Sequence, residues 1–525
     1  MAALVDNIIG YLSPGWQLKR ERARMQLAMI ESLIPSSYDG ASGLKRGLKT
    51  WAPSLFSPER ELSFEREKLI ARSRDLFRND SMARSAISTT TTNVIGGGLI
   101  LKSAPDRKLL NMGDDEAEAW EDTVEREFSL WCRPEHCDAE MSLSFYELQT
   151  LAFLSVLQSG DVFALLPYLS RPGSPYKLKV QLIEADRVVN KDFAPDDDNL
   201  SGGIRTDAYG APLEYHILKG HPNGFYPSWN WQVVPAMGRQ SGRRNVVHLL
   251  KKERPGQRRG IPFLTPVIEP LRLLQRYSEA ELLAALISGL FTVFVKSESG
   301  APLSTMVSET TTTSTTAADE IKMGPGAIVD LLPGEDVTIA NPARPNVGFD
   351  AFVTAVSRQV GAALELPFEL LLKHFTASYS ASRAALLEAW KFFRVRRQWA
   401  ASKFCQPVYE EFLVEAILSG RISAPGFFDD PAIRAAYSKA QWIGPSQGQI
   451  DPVKETQASI MKIDAALSTR SIETAAIGGD WEANYRQLSR EERMLREAGL
   501  KNTTDNNSGN APVEDPPAQP QPMEE

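Results

Sequence analysis

The first third of the chain repeats apolar residues at helical spacing, with charged residues between them. This pattern predicts helices over Ser63–Asn93, Asp114–Trp131 and Ser144–Gln158. The second begins with acidic residues, which the positive end of a helix dipole favours. A glycine run at 96–98 ends the first segment, and Leu99–Leu101 then reads as a short strand.

The spacing changes between residues 160 and 250. Short runs of β-branched and aromatic residues are separated there by Pro, Gly and Asp, which is typical of strands joined by turns. The predicted strands are Val162–Leu166, Lys179–Ile183, Glu214–Leu218 and Asn245–Leu250. This part of the chain is therefore predicted to be a β-rich body that follows the helices.

Three long helical patterns come next, over Thr265–Leu290, Phe349–Leu364 and Ser382–Leu418. Pro270 implies that the first helix is kinked or begins later, and Pro407 should bend the third near its middle. An insert with β character, Thr292–Ala340, separates the first two helices, and its Thr/Ser run 308–316 reads as a flexible loop tip.

The two ends of the chain carry weaker patterns. Residues 1–60 mix short amphipathic pieces with Pro, Gly and Ser and read as a loosely held arm. Helical patterns return over Val453–Leu467 and Trp481–Ala498, and residues 501–525 are predicted to be disordered. The apolar run Leu282–Val295 is shorter than the ~20 residues that span a bilayer, so we expect no membrane segment there.

Composition narrows the function. A chain of 525 residues can form two to four domains, and its formal net charge is −8. A protein that wraps DNA tightly is usually basic, so any contact with nucleic acid should be local and loose. Three Cys argue against a disulfide scaffold and favour a reducing compartment.

Candidate chemistry is sparse, and we expect no catalytic site, metal or cofactor. Gly96–Gly98 lacks the Gly-Lys-Ser/Thr ending of a phosphate-binding loop. Cys132, His136 and Cys137 resemble half a zinc site, but no second ligand pair follows at usable spacing. Asp196–Asp198 lies in a turn-rich loop and reads as a solvated acidic tip.

Two basic clusters flank the long helices. The first includes Arg239, Arg243, Arg244, Lys251, Lys252, Arg254, Arg258 and Arg259, and the second Arg383, Lys391, Arg394, Arg396, Arg397 and Lys403. Solvated faces with ion pairs are the commoner role for such residues. Phosphates or an acidic neighbouring subunit are the functional alternatives, and the adjacent apolar helices favour contacts between subunits.

A set of motifs in fixed order resembles the portal proteins of lambda-type tailed bacteriophages. They are RSRDLFRNDSMARSAISTTTTNVIGGGLIL (Arg72–Leu101), SLSFYELQTLAFLSVLQSGDVFALL (Ser142–Leu166), VQLIEADRV (Val180–Val188), RPGQRRGIPFLTPVI (Arg254–Ile268), LLPGEDV (Leu331–Val337), ARPNVGFDAFV (Ala343–Val353), ELPFELLLKHFTASYSASRAALLEAW (Glu365–Trp390) and WIGPSQGQIDPVKE (Trp442–Glu455). Each motif alone is modest, but together they cover roughly residues 60–490.

The resemblance implies an α+β portal fold that forms a ring, with wing, stem, clip and crown regions and a long kinked helix. The implied regions are an N-terminal arm at 1–60, wing at 61–260, first stem helix at 261–291, clip at 292–345, second stem helix at 346–366, tunnel loop at 367–382, wing helix and return at 383–440, crown at 441–500 and tail at 501–525. A tunnel loop at this place would face DNA through Lys373, His374, Phe375, Thr376, Ser378, Tyr379 and Ser380.

The resemblance also implies a function and partners. Such proteins form a homo-oligomeric ring, with twelve copies in the virion, at one capsid vertex, through which DNA is packaged and later leaves. The implied partners are the terminase large subunit, a head–tail adaptor, the major capsid protein, a scaffold and double-stranded viral DNA. We expect assembly in the host cytoplasm and no enzymatic activity in this chain.

The turn Arg254–Leu264 would then lead from the wing into the first stem helix. We expect Arg254, Gln257, Arg258 and Arg259 to hold adjacent subunits together at the root of the stem, with phosphate contact a secondary role. Two other functions stay open. One is a head–tail connector or vertex protein without a DNA channel, and the other is a nuclease or protease that uses the acids at 196–198 or the Cys132 region.

Overall fold

The computed structural model describes residues 22, 39–42, 45–225, 229–289, 293–297, 335–339, 348–375, 378–448 and 451–498. The chain divides into two compact units, Met1–Glu61 and Leu62–Glu525. Apart from the first residues of helix α1 (Pro58–Ser63), every feature discussed below belongs to the second unit, which mixes helices with small antiparallel sheets.

The first helical pattern forms more than one helix. Helix α1 is Pro58–Ser63, α2 is Arg66–Asn79 and α3 is Ser81–Val94. The single helix predicted through Asn93 is wrong at Asp80, which has extended backbone angles and caps α3 by accepting a hydrogen bond from the Ala83 N–H at 2.7 Å. Asp is a favoured N-cap residue because its carboxylate satisfies an N–H group that the first helical turn leaves unpaired.

The remaining N-terminal elements follow the prediction closely. They are strand β1 (Ile100–Ser103) and helices α4 (Arg107–Leu110), α5 (Asp114–Trp131), α6 (Pro134–Cys137) and α7 (Phe145–Ser159). A capping box starts α7, since the Ser144 side chain and the Glu147 carboxylate each bind the other residue's backbone N–H. The predicted second and third helices are therefore confirmed.

The β-rich body contains the strands β2 (Asp161–Leu165), β3 (Gln181–Glu184), β4 (Leu200–Ser201), β5 (Ile204–Thr206), β6 (Pro212–Leu218), β7 (Trp231–Pro235) and β8 (Val246–Leu250). They form two antiparallel sheets, ordered β3-β2-β8 and β4-β5-β6-β7. Strand β2 is buried throughout, since Val162 and Ala164 join the main helical core while Phe163 and Leu165 join a second core between the sheets. The β-rich body is confirmed.

Helices α8 (Ile268–Gly289) and α9 (Phe349–Ala363) form an adjacent pair. Helix α8 begins after a 3-10 turn, so Pro270 lies in its first turn, where a missing N–H costs nothing. The Tyr277 ring contacts Phe349 and Phe352 on α9, with ring centroids 5.6 and 4.9 Å apart. The insert between the two helices pairs β9 (Val293–Ser297) with β10 (Glu335–Ile339), and its Thr/Ser run lies outside the described residues.

The predicted third long helix contains a change of helical type. It consists of α11 (Tyr379–Ala400), a π-helical turn (Ala401–Cys405) and α12 (Gln406–Leu418), and short helix α10 (Phe368–Leu372) precedes it. The π-helical turn lies just before Pro407, which cannot donate the backbone hydrogen bond of a regular α-helix. The bend at Pro407 stays a prediction; the structure shows a π-helical turn just before this residue, and the helix starts earlier than expected.

The C-terminal elements attach to the N-terminal ones. They are α13 (Pro431–Tyr437), β11 (Ala440–Ile443), α14 (Pro452–Asp464), α15 (Arg470–Ala476) and α16 (Trp481–Glu497). Strand β11 pairs antiparallel with β1, and ion pairs from Lys102 to Glu482 (2.7 Å) and from Arg486 to Glu118 (2.8 Å) anchor α16. None of the helices in the described ranges is long and apolar enough to cross a membrane.

Candidate functional site

The turn Arg254–Leu264 precedes α8, and Gln257 gives this turn its shape. The Gln257 side chain is almost fully buried. Its amide oxygen accepts hydrogen bonds from the backbone N–H groups of Glu253 at 2.7 Å and Arg254 at 3.2 Å, and its amide nitrogen donates to the Arg259 carbonyl at 2.8 Å. One side chain therefore satisfies three backbone groups of its own turn.

Arg259 is buried beneath the same turn, with 2% of its surface exposed. Its Nε and Nη2 atoms donate to the two carboxylate oxygens of Asp161, at 2.7 and 3.1 Å. The remaining N–H groups donate to the carbonyls of Ala185 (2.9 Å), Val188 (2.7 Å) and Gly202 (2.6 Å). A guanidinium has five N–H donors in a rigid fork, and all five are used here. The side chain therefore joins the turn to both sheets of the β-rich body.

The charges of this cluster are strongly coupled. Burial disfavours the ionised form of Asp161, but the Arg259 charge and a hydrogen bond from His248 outweigh it, so the pKa of Asp161 lies well below its usual range. His248 Nε2 lies 3.3 Å from Asp161 Oδ2, and its ring stacks on Phe163 with centroids 4.1 Å apart. Burial lowers the pKa of His248 although Asp161 opposes this effect. At neutral pH the cluster is therefore an ion pair beside a neutral imidazole.

A close backbone approach brings Asp161 and Arg259 together. Gly160 ends α7 with φ +90°, and a Cβ atom on it would lie 2.4 Å from the carbonyl carbon of Gly260. A Cβ atom on Gly260 would lie 2.0 Å from the carbonyl oxygen of Gly160. Only glycine fits at both positions, and the Gly260 N–H donates to Asp161 at 3.0 Å.

Two arginines of helix α2 reach the same region, and neither was predicted as a site residue from the sequence. Arg74 pairs with Asp186 at 2.5 Å and donates to the Ser159 hydroxyl. Arg66 is buried, and burial together with the nearby Arg259 lowers its pKa to about 10. Their i, i+8 spacing, which places both on one face of the helix, is the sequence signal that could have indicated this role.

The four residues expected at the root of the stem lie in two environments. Gln257 and Arg259 are buried and contact their own chain, as described above. Arg254 is exposed, while Arg258 is half-buried and donates to the Asp198 carbonyl at 2.5 Å. Contact of this turn with a second copy stays a prediction.

The segment expected as a tunnel loop is helical at both ends. Helix α10 ends at Lys373, which has left-handed backbone angles (φ 54°, ψ 38°), and α11 begins after Ser378. Of the seven residues expected to face DNA, five are exposed: Lys373, His374, Phe375, Ser378 and Ser380. Thr376 and the side chain of Tyr379 lie outside the described residues. The non-helical part is therefore shorter than residues 367–382.

The candidate metal ligands have other roles in the structure. Cys132 and Cys137 are buried in the main core, where burial raises the pKa of both thiols. The Asp197 carboxylate accepts hydrogen bonds from the N–H groups of Asn199 and Leu200, as expected for a turn. The structure also brings together Glu184, Asp186 and His221, with ligand atoms within 4.8 Å of one another. The Arg74 guanidinium already pairs with the two carboxylates of that cluster.

Comparison with known proteins identifies the family. The model of the phage portal protein, lambda family, matches residues 44–397. Portal protein B of Escherichia phage lambda is 25% identical over 487 residues, which cover 88% of this chain and 90% of that protein. The portal protein of Escherichia phage N15 is 25% identical over 486 residues, covering 88% and 91% of the two chains.

Solved structures were compared as well. A chain of the neck of a native GTA particle, computed with C12 symmetry, has a TM-score of 0.42 and 12% identity, with 80% of this chain and 98% of that chain covered. A chain of the virion of a native gene transfer agent particle has a TM-score of 0.42 and 14% identity, with coverage of 78% and 93%. The family match over residues 44–397 spans more than half of the sequence, and the chain therefore belongs to the lambda family of phage portal proteins.

Proposed function

We propose that this portal protein assembles as a ring, with twelve copies in the virion, whose central channel conducts double-stranded DNA during packaging and ejection. The match to the lambda portal family over residues 44–397 carries this proposal. The ring occupies one vertex of the capsid and is assembled in the host cytoplasm. The chain acts as a structural channel, and the terminase motor supplies the energy for packaging.

Exposed apolar side chains on the paired helices support a ring. Leu282, Leu283 and Leu286 are 64%, 58% and 61% exposed within two turns of α8, and Phe352 on α9 is 49% exposed. A group of large apolar residues on one helix face marks a contact surface in a soluble protein. A closed ring needs two different faces that fit each other, and such helices can supply one of them.

We assign the regions of the ring along the chain. Residues 61–260 form the wing and 441–500 the crown, α8 and α9 are the stem helices, and the β9–β10 insert within 292–345 is the clip. The terminase large subunit and later the head–tail adaptor dock on the clip. The major capsid protein and the scaffold contact the outer part of the ring.

The channel surface includes the segment between α10 and α11. Its exposed Lys373 and His374 offer an ammonium group and an imidazole ring, and Ser378 and Ser380 add hydroxyls. This is a mild surface that lets DNA slide, because strong phosphate neutralisation would hold the duplex in place. The net charge of −8 agrees with this role.

Electron microscopy of the purified protein tests the proposal. We expect a ring with an open axial channel, and twelve copies of the 58.1 kDa chain give a mass of about 700 kDa. A monodisperse monomer or a closed dimer under assembly conditions would contradict the proposal. A ring without an axial opening would favour a connector or vertex protein that has no DNA channel.

A further inference from the structure

The two basic clusters of the sequence lie side by side in the structure. The π-helical turn Ala401–Cys405 stands between them and carries Ser402 and Lys403 on its exposed side. We call Arg244, Lys252, Arg258, Arg394 and Lys403 the cationic surface. π-helical turns are rare in α-helices and occur frequently at functional sites.

The first half of the cationic surface is a cleft of about 280 Å³ between the π-helical turn and strands β5, β6 and β8. Four cations line it: Arg244, Lys252, Arg258 and Lys403. Apolar groups such as those of Pro212, Tyr215 and Pro407 complete its walls. The cleft therefore combines positive charge with apolar surface.

The second half is a cleft of about 330 Å³ on the other side of the same turn. Arg394 and Gln398 of α11, Gln406 of α12 and Trp442 of β11 line it. Ser402 lines both clefts, so the two halves adjoin at the π-helical turn.

Several cations of the two clusters form ion pairs or hydrogen bonds within their own chain. Arg243 pairs with Glu411 at 3.2 Å and Arg396 with Glu365 at 3.7 Å, and Arg397 donates to the carbonyls of Asn93, Val94 and Pro445. Arg259 pairs with Asp161, as described above. Their charges are therefore already used in holding the fold.

The cationic surface differs in this respect. Among the described residues that line the two clefts, none carries a carboxylate. The side chains of Arg244, Lys252, Arg394 and Lys403 form no ion pair with any residue that the structure describes. Several like charges in one concave site repel one another, and an anion bound there would relieve the repulsion. In a chain with 66 acidic and 58 basic residues, these four cations therefore lie on a surface whose described lining carries no acidic side chain.

We propose that the cationic surface receives an acidic segment of a second copy of this chain. The clefts are small and partly apolar, which suits the side chains of a peptide segment. A DNA duplex has its phosphates on a convex cylinder and would reach only the rims of such clefts. The chain itself presents suitable groups, since Asp115, Glu116 and Asp429 are exposed and form no ion pair within the described part of the chain.

The proposal rests on the proposed ring. In a ring the two faces of an interface differ, so a positive face of one copy meets a different face of its neighbour. Charge complementarity of this kind fixes the register of two surfaces and speeds their encounter. The cationic surface would therefore set how adjacent copies align.

Zero-length carbodiimide cross-linking of isotope-mixed rings tests the proposal. Rings are assembled from equal amounts of ¹⁴N- and ¹⁵N-labelled chains, coupled, digested and analysed by mass spectrometry. We expect Lys252 and Lys403 to be joined to Asp or Glu residues of the other isotope. Lys391, which pairs with Glu388 one turn away, is the internal control and should be joined within its own chain.

A charge-reversal series completes the test. The double variant Lys252→Glu/Lys403→Glu should lose these cross-links and dissociate at lower salt than the wild type, while Lys391→Glu should behave as the wild type. Reversing the acidic residue found in the cross-link should restore the ring of the double variant. Such a rescue requires direct contact between the two residues. If the double variant were only less stable, reversing the acidic residue would not restore the ring.

Two results would overturn the proposal. Rings in which Lys252 and Lys403 form no link between copies would refute it and leave the portal function intact. Protection of both lysines by added duplex DNA, without links between copies, would assign the surface to phosphates instead. If no ring forms at all, the proposed function fails as well.

Discussion

At the scale of single residues, the Arg259–Asp161 pair is a buried ion pair beneath the turn, with a 2.7 Å contact between Nε and Oδ2. We expect Arg259→Ala to lower the free energy of unfolding by about 3–5 kcal/mol, because it removes the positive partner of the buried Asp161 carboxylate and the guanidinium donors to three carbonyls. Arg259→Lys should fall between the alanine variant and the wild type, since an ammonium keeps the charge but lacks the five-donor fork. Urea denaturation measures both.

Arg239→Ala is the matched control, because Arg239 belongs to the same basic segment but is exposed. Its effect should stay within about 0.5 kcal/mol, as for most surface substitutions. Equal effects of the Arg239 and Arg259 variants would contradict the structural role of the pair.

His248 makes the stability of this cluster depend on pH. Its folded pKa lies below the value of about 6.5 in an unfolded chain, so the unfolded chain binds more protons between these two values. The contribution of the neutral imidazole to the free energy of unfolding is therefore fully present above a pH of about 6.5. It decreases as the pH falls towards the pKa of His248 in the folded protein. His248→Gln keeps a donor for Asp161 without titrating, so it should lose less stability than the wild type between pH values of about 7.5 and 5.

Urea midpoints at several pH values measure this difference. His374→Gln serves as the control, since His374 is exposed, and it should keep the pH dependence of the wild type. Burial also lowers the pKa of His136, but this residue is present in the wild type and in both variants, so its effect on the pH dependence is the same in all three. Identical pH profiles for His248→Gln and the wild type would refute the role of His248.

At the scale of elements, the sequence predicted those helices whose bounds depend on residues close together in the chain. Helix α5 has the predicted bounds, and α7 begins after its predicted Ser144, because apolar spacing and N-caps are readable within a few residues. The break at Asp80 is also local, and its signal, an Asp before a new helical turn, was available in the sequence.

Contacts across long sequence distances were not predictable in the same way. Arg259 and Asp161 are 98 residues apart, and the sequence led us to expect that Arg259 contacts an adjacent subunit, with no indication of Asp161 as its partner. The two clefts of the cationic surface are likewise lined by segments far apart in the sequence, and the spacing of apolar residues gives no sign that these segments meet. Motif order predicted the family, but the geometry of the candidate site required the folded chain.

The segment between α10 and α11 allows a test of the channel. Lys373→Gly/His374→Ser/Phe375→Ser should spare ring assembly and lower DNA packaging, because it removes the exposed side chains that face the duplex in our proposal. Glycine suits the left-handed angles of Lys373, so the end of α10 should be kept. DNA protected from nuclease inside capsids measures packaging, and electron microscopy measures the rings.

Substitution is preferable to deletion here, since Tyr379 and Ser380 already belong to α11. Lys391→Ser provides the control, because Lys391 is an exposed cation farther along the same helix. Loss of the ring in the triple variant would show that the segment contacts another copy rather than the channel.

At the scale of the whole molecule, charge and apolar surface have separate roles. The buried Arg259 and the half-buried Arg397 hold the chain's own segments together, and the overall charge stays acidic. Apolar groups remain exposed on α8, where Leu282, Leu283 and Leu286 would contact a neighbouring copy. In our proposal, apolar helices supply most of the association energy of the ring and the cationic surface supplies its alignment.

Replacing the α8 leucines tests this division. Leu282→Lys/Leu286→Lys should abolish the ring while the single chain still folds, because both side chains are already exposed in one copy and become buried only in an interface. Leu109→Lys is the matched control, since Leu109 is 56% exposed on the short helix α4. Native mass spectrometry measures assembly, and circular dichroism verifies the fold. A full ring from the double variant would exclude this face of α8 from the interface, and loss of the ring in Leu109→Lys would mean that any added charge prevents assembly.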